Sequence, residues 1–455
     1  MKLRLLVRTA LVLGTGSSAV LSAQTFNTLF SFDGDTTGAN PVGRLTQGLD
    51  GNFYGTTSSG GINFDGEVFK ITPTGTYSIL HTFSGQDGVG PGERLTLGND
   101  GALYGTTPSG GSRGGGTIFK ITTEGVFTTL HNFDGSAGAT PGGLMLMNGL
   151  FYGTRSSFES GFPVYASLFT ITPGGQFTTV RQYGLKLFPY FLIQRNGVIY
   201  GTSYGDGLNG SGNGSIIRMD TSGQIKVLHN FTGSEGSNPQ GLTLGSDGNF
   251  YGETEFGGAM NGLGTIFKVT PHGDLTTLHT FTLNGLDGSE PSGGLELGSD
   301  GALYGTTILS SQPGPDYGNI FRITTTGELT VLYGFPQFND SSGYSLVEGT
   351  NGTFFGTTYA GGANYSGSVF TLDNDLRAFV TIRPGYGTAG ELVTIQGQGF
   401  TGTSAVSFNG VATNFRVVSD KLIRAQVPAG ASNGVVVVST SAGSLATRLP
   451  FAITN

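Results

Sequence analysis

An aromatic–glycine pair recurs at Tyr54, Tyr104, Tyr152, Tyr200, Tyr251 and Tyr304, and once more as Phe355–Gly356, at intervals of 48–53 residues. A period of this length belongs to propellers and solenoids, in which a supersecondary unit is copied because one copy cannot bury its apolar face alone. Four positions before each aromatic stands Asp or Asn followed by Gly: Asp50, Asp100, Asn148, Asn196, Asp247, Asp300 and Asn351. These dipeptides favour type I′ turns, whose two central residues both need positive φ, so each copy predicts a tight hairpin. The octapeptide DGALYGTT, present at 100–107 and 300–307, is therefore a turn running into a strand.

Three further landmarks complete the unit. An alternating "IFKIT" strand is centred on Phe69, Phe119, Phe169, Ile217, Phe267, Phe321 and Phe370. Eleven residues after each of the first six comes a "TLHTF" strand, at Leu80, Leu130, Val180, Leu228, Leu278 and Leu332, with a turn glycine between. Another strand precedes the Asp/Asn–Gly turn, around Leu45, Leu95, Leu144, Leu192, Leu242, Leu295 and Leu346. Each unit thus reads as four short antiparallel strands, A to D in chain order. Seven such units predict an all-β, seven-bladed propeller of four-stranded blades. A β-solenoid is the competing fold, disfavoured because its coils need no hairpin turn at every second strand boundary.

The chain opens with an orphan D-type strand, "NTLFSF" with Leu29 and Phe32, and its last unit has A, B and C but no D. Pairing the first strand beside Phe370–Leu372 would complete the seventh blade and remove two open sheet edges.

Composition agrees with a folded β protein. Glycine is extreme at 82 residues, yet aromatics hold at 11%, which disordered Gly-rich chains lack. No cysteine is present, so disulfides, thiolate metal sites and cysteine nucleophiles are excluded. Residues 1–23 read as an export signal, with Lys2, Arg4 and Arg8 before an apolar run too short and too interrupted by Gly and Ser to span a bilayer. Removing them takes the formal charge from −8 to −11, a balance that repels phosphate backbones, so nucleic acid is not an expected partner. No later stretch is suited to a transmembrane span, and a secreted or cell-surface monomer is expected.

Length variation falls on the B–C and D–A connections, which leave a propeller blade at one end, while the A–B and C–D turns scarcely change. Loops that tolerate insertion are where recognition is commonly built, so the B–C and D–A end is the expected binding face. Its candidate ligand-binding residues are Tyr165, Tyr204, Tyr317 and Tyr365, together with departures from the repeat: Arg155 in "YGTRSS", and Glu253 and Glu255 in "YGETE". The two glutamates lie two apart on one strand, a spacing that shares a face without flanking a scissile bond. His81, His131, His229 and His279 occupy one repeat position and read as a packing ring, with His272 in a C–D turn. Acidic loop residues Asp33, Asp35, Asp87, Asp134 and Asp287 offer Ca²⁺ a weak foothold, but no stretch matches an EF-hand loop. No other cofactor is expected, and no nucleophile elbow, phosphate loop or HExxH stands in the chain.

Past residue 378 the repeat stops. Residues 379–455 hold about seven short strands between Gly, Pro and Asn turns, suited to a small β-sandwich. The stretches PGYGTAGELVTIQGQGF (384–400) and VSFNGVATNFRVVSDKLIRAQVPAG (406–430) resemble the IPT/TIG family. That resemblance implies an Ig-like spacer or interaction domain without catalytic residues. Within the propeller expected over 24–378, the repeats from 25 to about 373, through DGNFYGTTSSGG, GTIFKIT and LHTF, resemble the GloVer-type tandem repeats of secreted bacterial proteins, which implies export and surface display. The expected function is non-enzymatic binding or adhesion to an extracellular glycan or surface polymer, or to another envelope protein. A polysaccharide lyase or hydrolase on the same scaffold and a purely structural envelope protein are the alternatives.

Overall fold

The computed structural model describes residues 24–135, 139–159, 162–184, 188–204, 212–258, 262–282, 287–309, 318–336 and 340–454. The expected export signal, residues 1–23, lies outside them. Among the described residues the chain is all-β, and no helix is long and apolar enough to cross a membrane.

Between Thr25 and Asp373 the described residues form seven four-stranded antiparallel sheets, consistent with propeller blades. Six are built from consecutive strands, as Ala39–Gln47, Phe53–Ser59, Glu67–Ile71 and Tyr77–Thr82 form the first. The seventh joins the two ends of the repeat region. Thr25–Ser31 pairs antiparallel with Ser368–Asp373, Phe26 opposite Leu372 and Thr28 opposite Phe370. This is the closure the orphan D strand implies, shifted slightly towards the N-terminus.

Each sheet shares a core with the next. Tyr54 and Val68 of the first pack with Leu95 and Phe119 of the second, and the pattern continues through Met147 with Ile199 and Tyr251 with Phe321. Phe53 and Phe69 of the first sheet meet Phe355 and Val369 of the seventh, with Phe53 and Phe355 stacked 3.8 Å apart. The sheets therefore follow one another in a closed circuit, with the A strands innermost.

The Asp/Asn–Gly turns divide into two kinds. Asn148–Gly149 and Asn196–Gly197 put both residues at positive φ, as a type I′ hairpin requires. In the other five only the glycine is left-handed, and the Gly51 amide closes a turn onto the Gly48 carbonyl at 3.0 Å. The reason is length: those five hairpins carry one more residue between the A-strand leucine and the aromatic, which selects a type I turn followed by a left-handed glycine. In four of the five an aspartate then accepts the tyrosine hydroxyl, as Tyr54 to Asp50 at 2.7 Å and Tyr104 to Asp100 at 2.7 Å, while the fifth has Asn351 and Phe355. A strand-C cation closes the set, with Lys70, Lys120, Lys268 and Arg322 on Asp50, Asp100, Asp247 and Asp300. The octapeptide is thus copied to fasten turn, strand B and strand C together.

After Asp373 two four-stranded sheets, built from strands between Thr381 and Ala446, enclose a separate core that includes Val393, Ile395, Phe408, Ile423 and Val438. This module sits across the A–B end of the ring. Gln396 Nε2 donates to the Gly48 carbonyl at 2.6 Å, and Tyr386 exchanges hydrogen bonds with the amide and side chain of Asn148 at 2.9 and 2.7 Å. A cavity of about 370 Å³ remains at the seam, between Ile193, Leu244 and Leu449.

Candidate functional site

Two features stand out: a charged cluster on the ring axis, and the loops at the uncovered end. The innermost strands carry Arg44 in the first sheet, Glu296 in the sixth and Glu348 in the seventh, while Glu93 and Arg94 lead into strand A of the second. Arg44 pairs with Glu296, although the seventh sheet lies between theirs. The Tyr190 hydroxyl of the fourth sheet donates to Glu93 of the second at 3.0 Å, past the third. Contacts between non-adjacent sheets can be made only across the axis.

The C-terminal module completes this cluster. Arg448 Nη1 lies 2.9 Å from Glu296 and 3.0 Å from Glu348, donates to the Leu297 carbonyl, and stacks 4.2 Å from the Phe379 ring centre. Burial pushes the Glu348 carboxyl up to about 7 despite Arg448 and the Ser299 donors that pull it down. Burial likewise raises Glu93, against the pull of Tyr190. Arg44 has its charge disfavoured by burial first, then by Arg94 and Arg448. Arg94 makes no hydrogen bond or ion pair among the described residues, and the burial of its surroundings lowers its pKa.

At the uncovered B–C and D–A end one repeat position is unusual. The residue five before the strand-C aromatic is left-handed in five described copies: Gly114, Gly212 and Gly262 at φ 77°, 72° and 71°, but Phe64 and Tyr365 at 60° and 59°. A bulky side chain in this region is a conformational outlier. Phe64 and Tyr365 are nevertheless 70% and 65% exposed, so burial does not offset the strain. They belong to neighbouring sheets, linked through the loop at 32–40: Asn40 donates to the Ser366 carbonyl at 2.9 Å and Gly61 to Gly34 at 3.2 Å. Ile62, Tyr359 and Phe256 are exposed at the same end.

The residues singled out from the sequence separate into different settings. Tyr365 is in the exposed loop just described. Tyr165 is half-buried opposite Ser157, on the strand B–C ladder of the third sheet. Arg155 is also half-buried, 5.2 Å from the Phe133 ring centre, with Nη2 donating to the Asp134 carbonyl at 3.3 Å. The backbone of Tyr204 ends a strand but its side chain lies outside the described residues, as does the whole of Tyr317. Glu253, expected as a ligand contact, is completely buried: its Oε1 accepts the Gly294 amide of the next sheet at 2.8 Å. Its side chain does not reach solvent, which corrects the expectation of an exposed polar contact. Glu255 instead accepts from Asn238, and from Gln240 at 3.2 Å, and lies near enough to Glu290 for mutual repulsion to add to the burial that raises its pKa.

The repeated histidines pack the outer wall, as their shared position implies. His81 and His131 stack on Phe127 and Phe177 of the following sheet at 3.7 and 3.9 Å. His81, His229 and His279 also meet Asp87, Glu235 and Asp287 at 2.9, 2.7 and 2.6 Å. Burial lowers the His81 pKa by more than Asp87 raises it, so the ring is held towards its neutral form. Two of the aspartates considered for Ca²⁺ are therefore already engaged. Asp33 closes its own turn: burial works upward, but bonds from Thr36 and Thr37 hold its carboxyl down at about 2. Among the described residues no three His, Asp or Glu side chains converge on a common metal position.

No curated protein matches the sequence. Among solved structures, a fungal alcohol oxidase in complex with copper shares 13% identity at a TM-score of 0.52, over 95% of this chain and 99% of that one. The extracellular domain of a one-component system from B. thetaiotaomicron shares 9% identity at a TM-score of 0.49, over 94% and 59%. A luciferin-regenerating enzyme shares 13% at a TM-score of 0.43, over 78% and 97%. At such identity the first likeness concerns the fold alone. The model of the Gloeobacter/Verrucomicrobia repeat matches residues 12–190 and 188–415, most of the sequence. The chain belongs to the Gloeobacter/Verrucomicrobia repeat family.

Proposed function

We propose that this is a secreted or cell-surface, non-enzymatic binding protein that recognises a glycan or surface polymer at the B–C and D–A end of a seven-bladed propeller. The C-terminal module is read as an Ig-like domain of IPT/TIG type that caps the opposite end. One observation carries the reading: Phe64 and Tyr365, on neighbouring sheets, hold strained backbone while projecting into solvent. Left-handed backbone costs a residue with a side chain about 1–2 kcal/mol, and outliers of this kind cluster at ligand clamps. Flat exposed rings suit the apolar faces of sugar rings.

A lyase or hydrolase would need ionisable groups converging at an open site. Glu253, the strongest sequence candidate for an acid, is enclosed between two sheets, which leaves it no access to a substrate and speaks against catalysis at that residue.

The test replaces each aromatic by the glycine its sister sheets use. Phe64→Gly and Tyr365→Gly should leave the melt unchanged or stabilise by about 1 kcal/mol, because relieved strain opposes the added chain entropy. Glycan-array binding should fall at least tenfold in the double variant. A lower melting temperature with intact binding would make the pair structural, and a wild-type protein that binds no glycan or polymer would remove the reading.

A further inference from the structure

We propose that the cavity at the seam between ring and C-terminal module is a binding site for a small carboxylate with an apolar body, an aryl or branched acyl acid, whose charge is received by Arg195. The inference goes beyond the glycan reading, since it concerns the opposite end of the ring and stands on different residues.

The module grips the ring at separate points. Gln396 donates to the Gly48 carbonyl of the first sheet, Tyr386 bonds Asn148 of the third, and Arg448 meets Glu296 and Glu348 of the sixth and seventh. Over the A–B turns of the fourth and fifth sheets ring and module part, and the cavity of about 370 Å³ lies between them. Every residue of its wall is among the described ones. Ile193 and Leu244 from the ring face Ile382 and Leu449 from the module, all half-buried. Asn196, Ser246 and Asn433, also in the wall, are exposed, so the space opens to solvent beside them. It has room for about twelve waters at about 30 Å³ each. That volume falls in the range of about 300–1,000 Å³ usual for small-molecule sites, which favour domain interfaces. Water against an apolar wall is displaced favourably by an apolar ligand body.

Arg195 supplies the charge. It ends the strand Phe188–Arg195 at the tight Asn196–Gly197 turn, and its side chain crosses to the fifth sheet, where a side chain at Gly248 would begin 2.8 Å from its Nη2. Gly248 thus leaves the guanidinium its place in the wall. Arg195 is half-buried there and makes no hydrogen bond or ion pair among the described residues. Asp247, the acid beside Gly248, is already engaged by Tyr251 at 2.9 Å, Asn249 at 2.8 Å and Lys268 at 2.8 Å. Gln194, in the same wall, keeps its Oε1 buried without a hydrogen-bond partner. The polar side chains of this wall are therefore not spent on docking, as those of Gln396, Tyr386 and Arg448 are. A guanidinium offers a carboxylate two parallel donors, and the low dielectric of an apolar wall strengthens such a pair. Arg448 lines the cavity too, but its two glutamates hold it, which leaves Arg195 as the cation free to take an anion.

The experiment is a thermal-shift and calorimetric titration of the full chain with sodium phenylacetate and sodium 3-methylbutanoate. Phenylacetamide, which has the apolar body without the charge, and acetate, which has the charge without the body, are the controls. At least one of the two acids should bind saturably and raise the melting temperature, and the tighter of them identifies the body as aryl or acyl. Both controls should bind at least tenfold more weakly. Arg195→Gln should weaken the acid at least tenfold and leave phenylacetamide unchanged, a split that a merely structural role of Arg195 does not produce. Leu244→Trp, which fills the cavity, should abolish binding of acid and amide alike. Saturable binding of neither acid, acid affinity unchanged in Arg195→Gln, or phenylacetamide binding as tightly as phenylacetate overturns the site.

Discussion

Deleting residues 24–31 is expected to lower the melting temperature by at least 10 °C and to make the protein prone to association. The deleted strand is the outer strand of the seventh sheet, paired from Thr25 opposite Asp373 to Ser31 opposite Ser368. Its side chains also staple three sheets together. Phe26 stacks on Tyr333 of the sixth at 4.0 Å and on Phe370 of the seventh at 5.0 Å, while Phe30 stacks on Tyr77 of the first at 4.0 Å. Burying one large apolar side chain contributes about 1.5–3 kcal/mol, so losing Phe26, Leu29 and Phe30 removes on the order of 5 kcal/mol before the ladder is counted. For a domain larger than 150 residues each kcal/mol moves the midpoint by about 2–4 °C. The deletion also bares Ser368–Asp373 as an edge strand, a template for pairing between molecules. Calorimetry and light scattering read both effects, and a peptide of residues 24–33 added in trans should restore part of the loss. An unaltered melt would mean that the ring does not depend on its closure.

Closure was legible in the sequence because a D-type strand stands alone at one end and is missing at the other. The repeat strands were legible for the same reason: copies reinforce one another, and a landmark such as Phe69 is read seven times. What copying cannot reveal is whatever differs between sheets. Arg44, Arg94, Glu296 and Glu348 come from separate units, and they meet only because the circuit closes. Arg448 joins them through docking of a module whose own sequence says nothing about where it sits. Glu253 did stand out against the threonines of sister sheets, but sequence alone does not say whether a departure points outwards or between sheets. Phe64 carried a visible signal: its position holds Gly114 and Gly262 elsewhere, and the loop containing it keeps the glycines that surround Tyr365. The Asp/Asn–Gly pair alone points to type I′ in all seven copies, and the split into two turn types lies in the hairpin lengths, since two copies are one residue shorter. The histidine–acid pairs were visible as His81 with Asp87 and His229 with Glu235, each six residues apart.

Wild-type stability should decline as pH rises from 5 to 8, and Glu253→Gln should remove the larger part of that decline. Burial raises the Glu253 carboxyl from 4.5 to about 8 against the single opposing bond from the Gly294 amide, and its Oε2 has no hydrogen-bond partner. The folded protein therefore keeps this proton where the unfolded chain has lost it. Since the folded state binds more protons between these values, its stability is fully present below the unfolded pKa and is lost as pH climbs through the folded one. A shift of this size corresponds to on the order of 4 kcal/mol across the window. Glu348, raised to about 7, slopes the same way, so the variant keeps a shallower decline that ends nearer neutrality. Glu253→Gln stays neutral throughout and can still accept the Gly294 amide. Near pH 5 it should match the wild type to within the cost of one buried donor, about 1–3 kcal/mol. By pH 8 it should be the more stable protein, a crossing of the two curves that a merely disruptive substitution does not produce. Urea unfolding at pH 5, 6, 7 and 8 measures it, and parallel curves for the two proteins would show that Glu253 is ionised in the folded state across the whole range.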